Sequence, residues 1–249
     1  MVNTSWLSSL GTVALNFGTI KAFFSIVLLA LVDYDYQFIF ADVGCQGRIS
    51  DGGVYRHCYF YKALESNQLN LPEDACLPKS TDTAFIDQPY EPLPFVFLGD
   101  DAFPLGEHCM KPYGQVNLTP RKRIFNYRLS RMRKVAENAF GILANRFRVF
   151  FDKINLDPNK ASLVTFAALI LHKMLRQKSR ESYTPENFVD NLSADNGVVT
   201  EGTWRDQSSI EDSFLGLESC RGNRASRNAG NIREVFADHF WGPGQVTWQ

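Results

Sequence analysis

Apolar positions recur along this chain in two different rhythms. The most hydrophobic run is Ala22 to Val32, AFFSIVLLALV. A bilayer-spanning helix needs about 20 apolar residues, so this run is too short to cross a membrane. It leads into Asp33 instead of a small-residue cleavage site, which argues against a signal peptide. It therefore reads as a strand buried on both faces. Asp33-Tyr34-Asp35 reads as a turn and Tyr36 to Val43 as the returning strand of a hairpin. Phe95 to Leu98 is another short aromatic and β-branched run, and Gly99-Asp100-Asp101 places carboxylates where that strand ends.

Three longer segments follow the helical rhythm. Between Thr119 and Arg148, Leu129, Met132, Val135, Ala136, Ala139, Phe140 and Leu143 recur at three- and four-residue steps and mark one inward face. Glu137 lies at the border of that face. Gly52 to Ser66 reads as a helix after the glycine-rich stretch Gly44 to Gly53, with Asp51 as its cap. Asn159 to Arg176 reads as a helix with Leu163, Phe166, Ala167, Ile170, Leu171 and Met174 turned inward; His172 on it is read as structural, because no spaced second metal ligand accompanies it. Met1 to Thr19 carries no clear pattern. Leu71 to Leu93 reads as a loop and Glu181 to Gly230 as a polar mobile linker. Ile232 to Phe240 reads as a short helix or aromatic anchor before the end of the chain.

Composition narrows the function classes. At 249 residues with 45% hydrophobic and 21% charged residues, the chain fits one α/β domain with a tail. Cys45, Cys58, Cys76, Cys109 and Cys220 are odd in number and form no Cys-x-x-Cys pair. That disfavours a zinc finger or a disulfide framework and favours a reducing compartment. No phosphate-binding Gly-x-x-x-x-Gly-Lys-Ser/Thr loop occurs. The formal net charge is −1, yet Asn117 to Arg148 carries Arg121, Lys122, Arg123, Arg128, Arg131, Arg133, Lys134, Arg146 and Arg148 against the single acid Glu137. Such a segment attracts phosphate backbones, or it pairs with acids elsewhere in the chain; the sequence leaves both open. A carboxylate at a strand end and another on a packed helix suit a hard divalent ion such as Mg²⁺ or Mn²⁺. They are equally ordinary as a turn residue and a surface glutamate.

Gly99-Asp100-Asp101-Ala102-Phe103-Pro104-Leu105, Lys111-Pro112-Tyr113, Phe125 to Arg131, Val135-Ala136-Glu137-Asn138-Ala139-Phe140-Gly141 and Arg146-Phe147-Arg148, in that order, resemble the core of the PIF/Harbinger transposase-derived nucleases. The resemblance implies a ribonuclease-H-like α/β fold, a mixed sheet flanked by helices. It implies a metal-dependent DNA endonuclease with Asp100 and Glu137 as catalytic and metal-binding residues, Mg²⁺ or Mn²⁺ as cofactor, and DNA as substrate. It further implies a nuclear location, with the cytoplasm as a second compartment, and a Myb-like DNA-binding partner protein. Arg128, Arg131 and Lys134 are the candidates for phosphate contact. Three regions follow: 1–20 as a non-matching start, 21–178 as the endonuclease domain and 179–249 as linker and tail.

One departure from the family pattern matters. The family's first catalytic Asp belongs to an Asp-Gly-x-His-like motif on a strand before the segment matching Ala22 to Val32. Met1 to Lys21 contains no Asp or Glu. The first strand and its carboxylate are therefore expected to be missing, leaving the sheet incomplete at its amino end. A truncated nuclease and a decayed copy that binds nucleic acid or protein without cutting remain as alternative expectations.

Overall fold

β1 (Leu7–Thr19), β2 (Ala22–Val32) and β3 (Phe38–Gln46) form an antiparallel meander that anchors everything else. The computed structural model describes residues 7–19, 22–46, 51–78, 91–151, 154–192, 198–206, 214–215 and 226–246. β2 is buried on both faces, as its unbroken apolar run requires: Ile26, Leu28, Ala30 and Val32 enter one core while Val27, Leu29 and Leu31 enter another. Among the described residues no helix is long and apolar enough to cross a membrane.

The expectation that the first strand is missing is corrected. Leu7–Thr19 takes the central place in the sheet, whose order is β3-β2-β1-β4-β5. β4 (Val96–Leu98) runs parallel to β1, with Leu7, Ser8 and Ser9 opposite Val96, Phe97 and Leu98. β5 (Cys109–Met110) adds in parallel beyond it. The reading missed β1 because LSSLGTVALNFGT mixes small, polar and apolar residues without a clean alternation. The carboxylate expected on this strand is still lacking, since β1 contains no Asp or Glu.

The segment read as one helix from Gly52 is two, α1 (Asp51–His57) and α2 (Tyr59–Glu65). They break at Cys58, whose thiol donates to the Tyr55 carbonyl and accepts from the Tyr61 amide. Asp51 opens α1, but its side chain lies outside the described residues, so its capping role does too. Both helices cover one face of the sheet together with Phe103.

α3 (Pro120–Arg146) crosses the other face. Thr119 caps it by accepting the Lys122 amide, and Pro120 fills the first position, where no amide hydrogen is needed. Its inward face follows the expected spacing, with Leu129, Ala136, Ala139, Phe140 and Leu143 buried. It comes so close to β1 that a Cβ on Gly11 would lie 2.6 Å from the Phe140 ring and 3.3 Å from Ala136. α4 (Pro158–Lys178), capped by Asp157, packs beside it over β3.

α4 buries the opposite face from the one its hydrophobicity predicts. Ala161, Thr165, Ala168, Leu169, His172 and Arg176 point inward. Leu163, Phe166, Ile170, Leu171 and Met174 are between 37% and 68% exposed. Polar contacts to the β2–β3 turn fix this orientation. His172 donates from Nε2 to the Tyr36 carbonyl at 2.7 Å and accepts from the Tyr183 hydroxyl at 2.9 Å. Arg176 reaches the Asp35 carboxylate at 2.8 Å and its carbonyl at 3.0 Å.

The segment after α4 is an ordered arm in its described parts. α5 (Arg180–Tyr183), the two-stranded ribbon of β6 (Asn191–Leu192) and β7 (Val199–Thr200), and a 3₁₀ turn at Thr203–Asp206 lead back to α3. β8 (Phe214–Leu215) pairs antiparallel with Leu15 and Ala14 of β1. α6 (Arg227–Trp241), capped by Ser226, lays Ile232, Phe236, Ala237 and Phe240 against α3, β4 and Tyr113. The helix expected at Ile232 is thus present and longer; Trp248 and Gln249 lie outside the described residues.

Candidate nuclease-type site

The site grows from the end of β4. Val96 and Leu98 face α3, and by strand alternation Asp100 continues on that side. Its Oδ1 accepts the Ala102 amide at 2.9 Å, an Asx turn that fixes the carboxylate as the chain leaves the sheet. Its Oδ2 lies 3.5 Å from Nη2 of Arg133 on α3. Glu137 stands one turn beyond Arg133 on the same helix face. It is half-exposed, and its Oε2 is 3.8 Å from Nη2 of Arg205. The sequence-derived pair is therefore set on one side of the molecule, each carboxylate opposite a guanidinium.

β1 supplies the third wall. Gly11, Val13 and Leu15 face α3, so Ser9 is turned the same way. Ser9 is buried opposite Leu98, and its hydroxyl has no hydrogen-bond partner among the described residues. Among those residues, no group of three His, Cys, Asp or Glu could hold a metal ion.

Sequence reasoning missed the arm that braces Glu137. Asp190 has a fully buried side chain. It accepts Arg205 Nε at 3.0 Å, Arg205 Nη2 at 2.6 Å and the Gly202 amide at 2.9 Å. Burial pushes the Asp190 carboxyl up, but its hydrogen bonds to Arg205 and Gly202 and the nearby positive charges outweigh that and hold it below the usual carboxylate range. Asn138, next to Glu137, accepts the Trp204 indole at 2.8 Å and the Asp190 amide at 3.2 Å. Trp204 then covers Gly141, where an added Cβ would lie 2.4 Å from the indole. The segment read as a linker for its polarity is polar because its polar groups bind α3.

Gly141→Ala is expected to cost about 1–3 kcal/mol by forcing Trp204 off the helix. Urea denaturation followed by tryptophan emission checks this, with a red-shifted native spectrum. Gly230→Ala is the control: it sits in α6 with nothing within 4 Å of its added Cβ, and it should stabilise by about 0.4–1 kcal/mol.

Several cations of the basic segment are engaged inside the protein. Arg128 and Arg131, two of the candidates for phosphate contact, are only 8% and 9% exposed. Arg128 donates to the Gly244 carbonyl at 2.6 Å and stacks over Phe240; Arg131 stacks over Tyr127. Arg121 pairs with Glu234 and Asp238, and Arg146 donates to the Tyr183 carbonyl. Lys134 retains partial exposure, with Nζ 4.0 Å from Asp190. Arg133 and Arg205 are partly exposed cations opposite Asp100 and Glu137, and Lys134 is one beside Asp190.

A strand-end Asp and a helix Glu on a 3-2-1-4-5 mixed sheet are the parts of a ribonuclease-H-like nuclease core. A family model for the DDE superfamily endonucleases matches residues 8–173, beginning inside β1, and the chain belongs to that family. It is also 29% identical over 154 residues to "Protein ALP1-like" from Arabidopsis thaliana, covering 61% of this chain and 35% of that protein. The chain thus spans about a third of the length of that curated relative. These findings support the transposase-derived, Harbinger-type resemblance. No solved structure matches.

Proposed function

We propose that this chain is a transposase-derived protein of the DDE endonuclease family that engages DNA but no longer cuts it efficiently. The observation that carries this reading is the α3-facing side of β1, where Ser9 lies opposite Leu98 and the strand has no carboxylate. A divalent ion in this family's chemistry activates water and stabilises the leaving oxygen on phosphate. Asp100 and Glu137 are hard-oxygen donors suited to one Mg²⁺ or Mn²⁺ whose shell water completes. They do not suit a pair of ions, which needs a further carboxylate shared between them. Arg133 stands opposite Asp100, Arg205 opposite Glu137 and Lys134 beside Asp190, so partly exposed cations that can meet a phosphate backbone line the site.

The second reading is an active metal-dependent endonuclease. Both Asp100 and Glu137 are present, and the Glu137 carboxylate is half-exposed with a guanidinium no closer than 3.8 Å. A nuclear site of action and a Myb-like partner belong to either reading as proposals from the family resemblance.

A plasmid-nicking assay with Mg²⁺ and Mn²⁺, run beside salt-dependent DNA binding, separates them. The expected result is binding that weakens as salt rises, no metal-dependent nicking, and reduced binding in Lys134→Glu. Mn²⁺-dependent nicking that disappears in both Glu137→Gln and Asp100→Asn would overturn the first reading in favour of the second.

A further inference from the structure

We propose that the outer face of α4 is a docking surface for an amphipathic helix of another protein, one with an apolar stripe flanked by acidic residues. Leu163, Phe166, Ile170 and Met174 recur at three- and four-residue steps along the helix, and all are exposed. The spacing is that of a seam made to meet a second helix. Single exposed apolar side chains are ordinary on protein surfaces, but a contiguous stripe of them marks an interaction site.

The inner face shows that this is no accident of packing. Ala161, Ala168 and Thr165 let α4 sit close on β3, and His172 and Arg176 lock its rotation through Tyr36 and Asp35. Turning the large apolar residues inward would break those contacts. The helix is thus held with its most hydrophobic side outward.

Charge selects the occupant. α4 contains no Asp or Glu and places Lys160, Lys173 and Lys178 beside the stripe. Acids flank the helix at both ends, Asp157 at the cap 3.7 Å from Lys160 and Glu181 in α5, so the rim along the stripe itself takes its sign from Lys173 and Lys178. The α4 of a second copy would bring the same lysines and no acid, placing like charges along the seam. A helix with Glu or Asp flanking its apolar stripe supplies opposite charge instead.

Two designed peptides of the length of α4 test this, both with a leucine stripe, one flanked by Glu and the other by Lys. Binding to the full chain is read by fluorescence anisotropy. The Glu peptide is expected to bind at least about tenfold more tightly than the Lys peptide. Ile170→Glu should weaken the Glu peptide by about tenfold or more with unchanged thermal unfolding, because Ile170 is already solvent-exposed. Lys173→Glu combined with Lys178→Glu should reverse the preference. Equal binding of both peptides, or binding of neither, overturns the proposal. So does a dimer in light scattering that Ile170→Glu converts to monomer, which would make the stripe a contact between copies.

Discussion

Asp190→Ala is expected to destabilise the protein by about 1–3 kcal/mol, the cost of leaving buried hydrogen-bond donors without their acceptor. Arg205 would lose both arms of its fork, and the Gly202 amide would lose its acceptor. Asp190→Asn should recover part of the loss, because an amide oxygen still accepts from Gly202 and Arg205. The readout is the urea midpoint. Limited proteolysis should also cut the arm between Tyr183 and Asp206 before the sheet core, since α3 keeps its own packing against β1. A change below about 1 kcal/mol would mean that the arm contributes little and that Glu137 is not braced through Arg205.

The second large effect is loss of stability on mild acidification. Burial, partly offset by the Tyr36 carbonyl and reinforced by Arg176, pushes the His172 imidazole down to about 4. Burial and then the Arg128 charge hold His239 at about 4 as well. Both are neutral in the native state, whereas the unfolded chain binds their protons near pH 6.5. Their contribution is therefore fully present above pH 6.5 and is lost as pH falls toward 4. The His172 share is about 3 kcal/mol over that window. Urea titrations at steps from pH 7.5 to 4.5 should show the decline, and His172→Gln should remove about half of the slope. Stability that stays flat down to pH 5 would refute the neutral, doubly hydrogen-bonded His172.

The parts of the fold legible from sequence are those where periodicity and burial agree. β2, the Phe97 strand and α3 follow directly from their apolar spacing, and Asp100 and Glu137 could be picked out through the motifs around them. β1 was not legible, because a strand walled by α3 needs Gly11 and Ser9 where a pattern search expects large apolar residues. α4 was located but its facing was inverted: small residues and two polar anchors decide what packs inward, and hydrophobicity alone favoured the other side. The arm escaped notice because Asp190, Arg205 and Asn138 resemble loop residues until their partners on α3 are seen. The basic run on α3 carried the same ambiguity. Several of its cations serve carbonyls, rings and acids far away in sequence, and only spatial proximity distinguishes those from charges that face a ligand.

The pairing of Phe214–Leu215 with Ala14–Leu15 has a consequence for how the molecule is made. Synthesis delivers the β1–β2–β3 meander well before β8, so Ala14 and Leu15 of β1 present open backbone groups along one edge in the meantime. Their partner strand lies far downstream in the chain, and the aromatic residues of α6 follow it. A nascent protein can therefore form its hairpins early but must wait for β8 before Ala14 and Leu15 gain their second neighbour. That interval is when an unguarded edge is open to pairing with another chain.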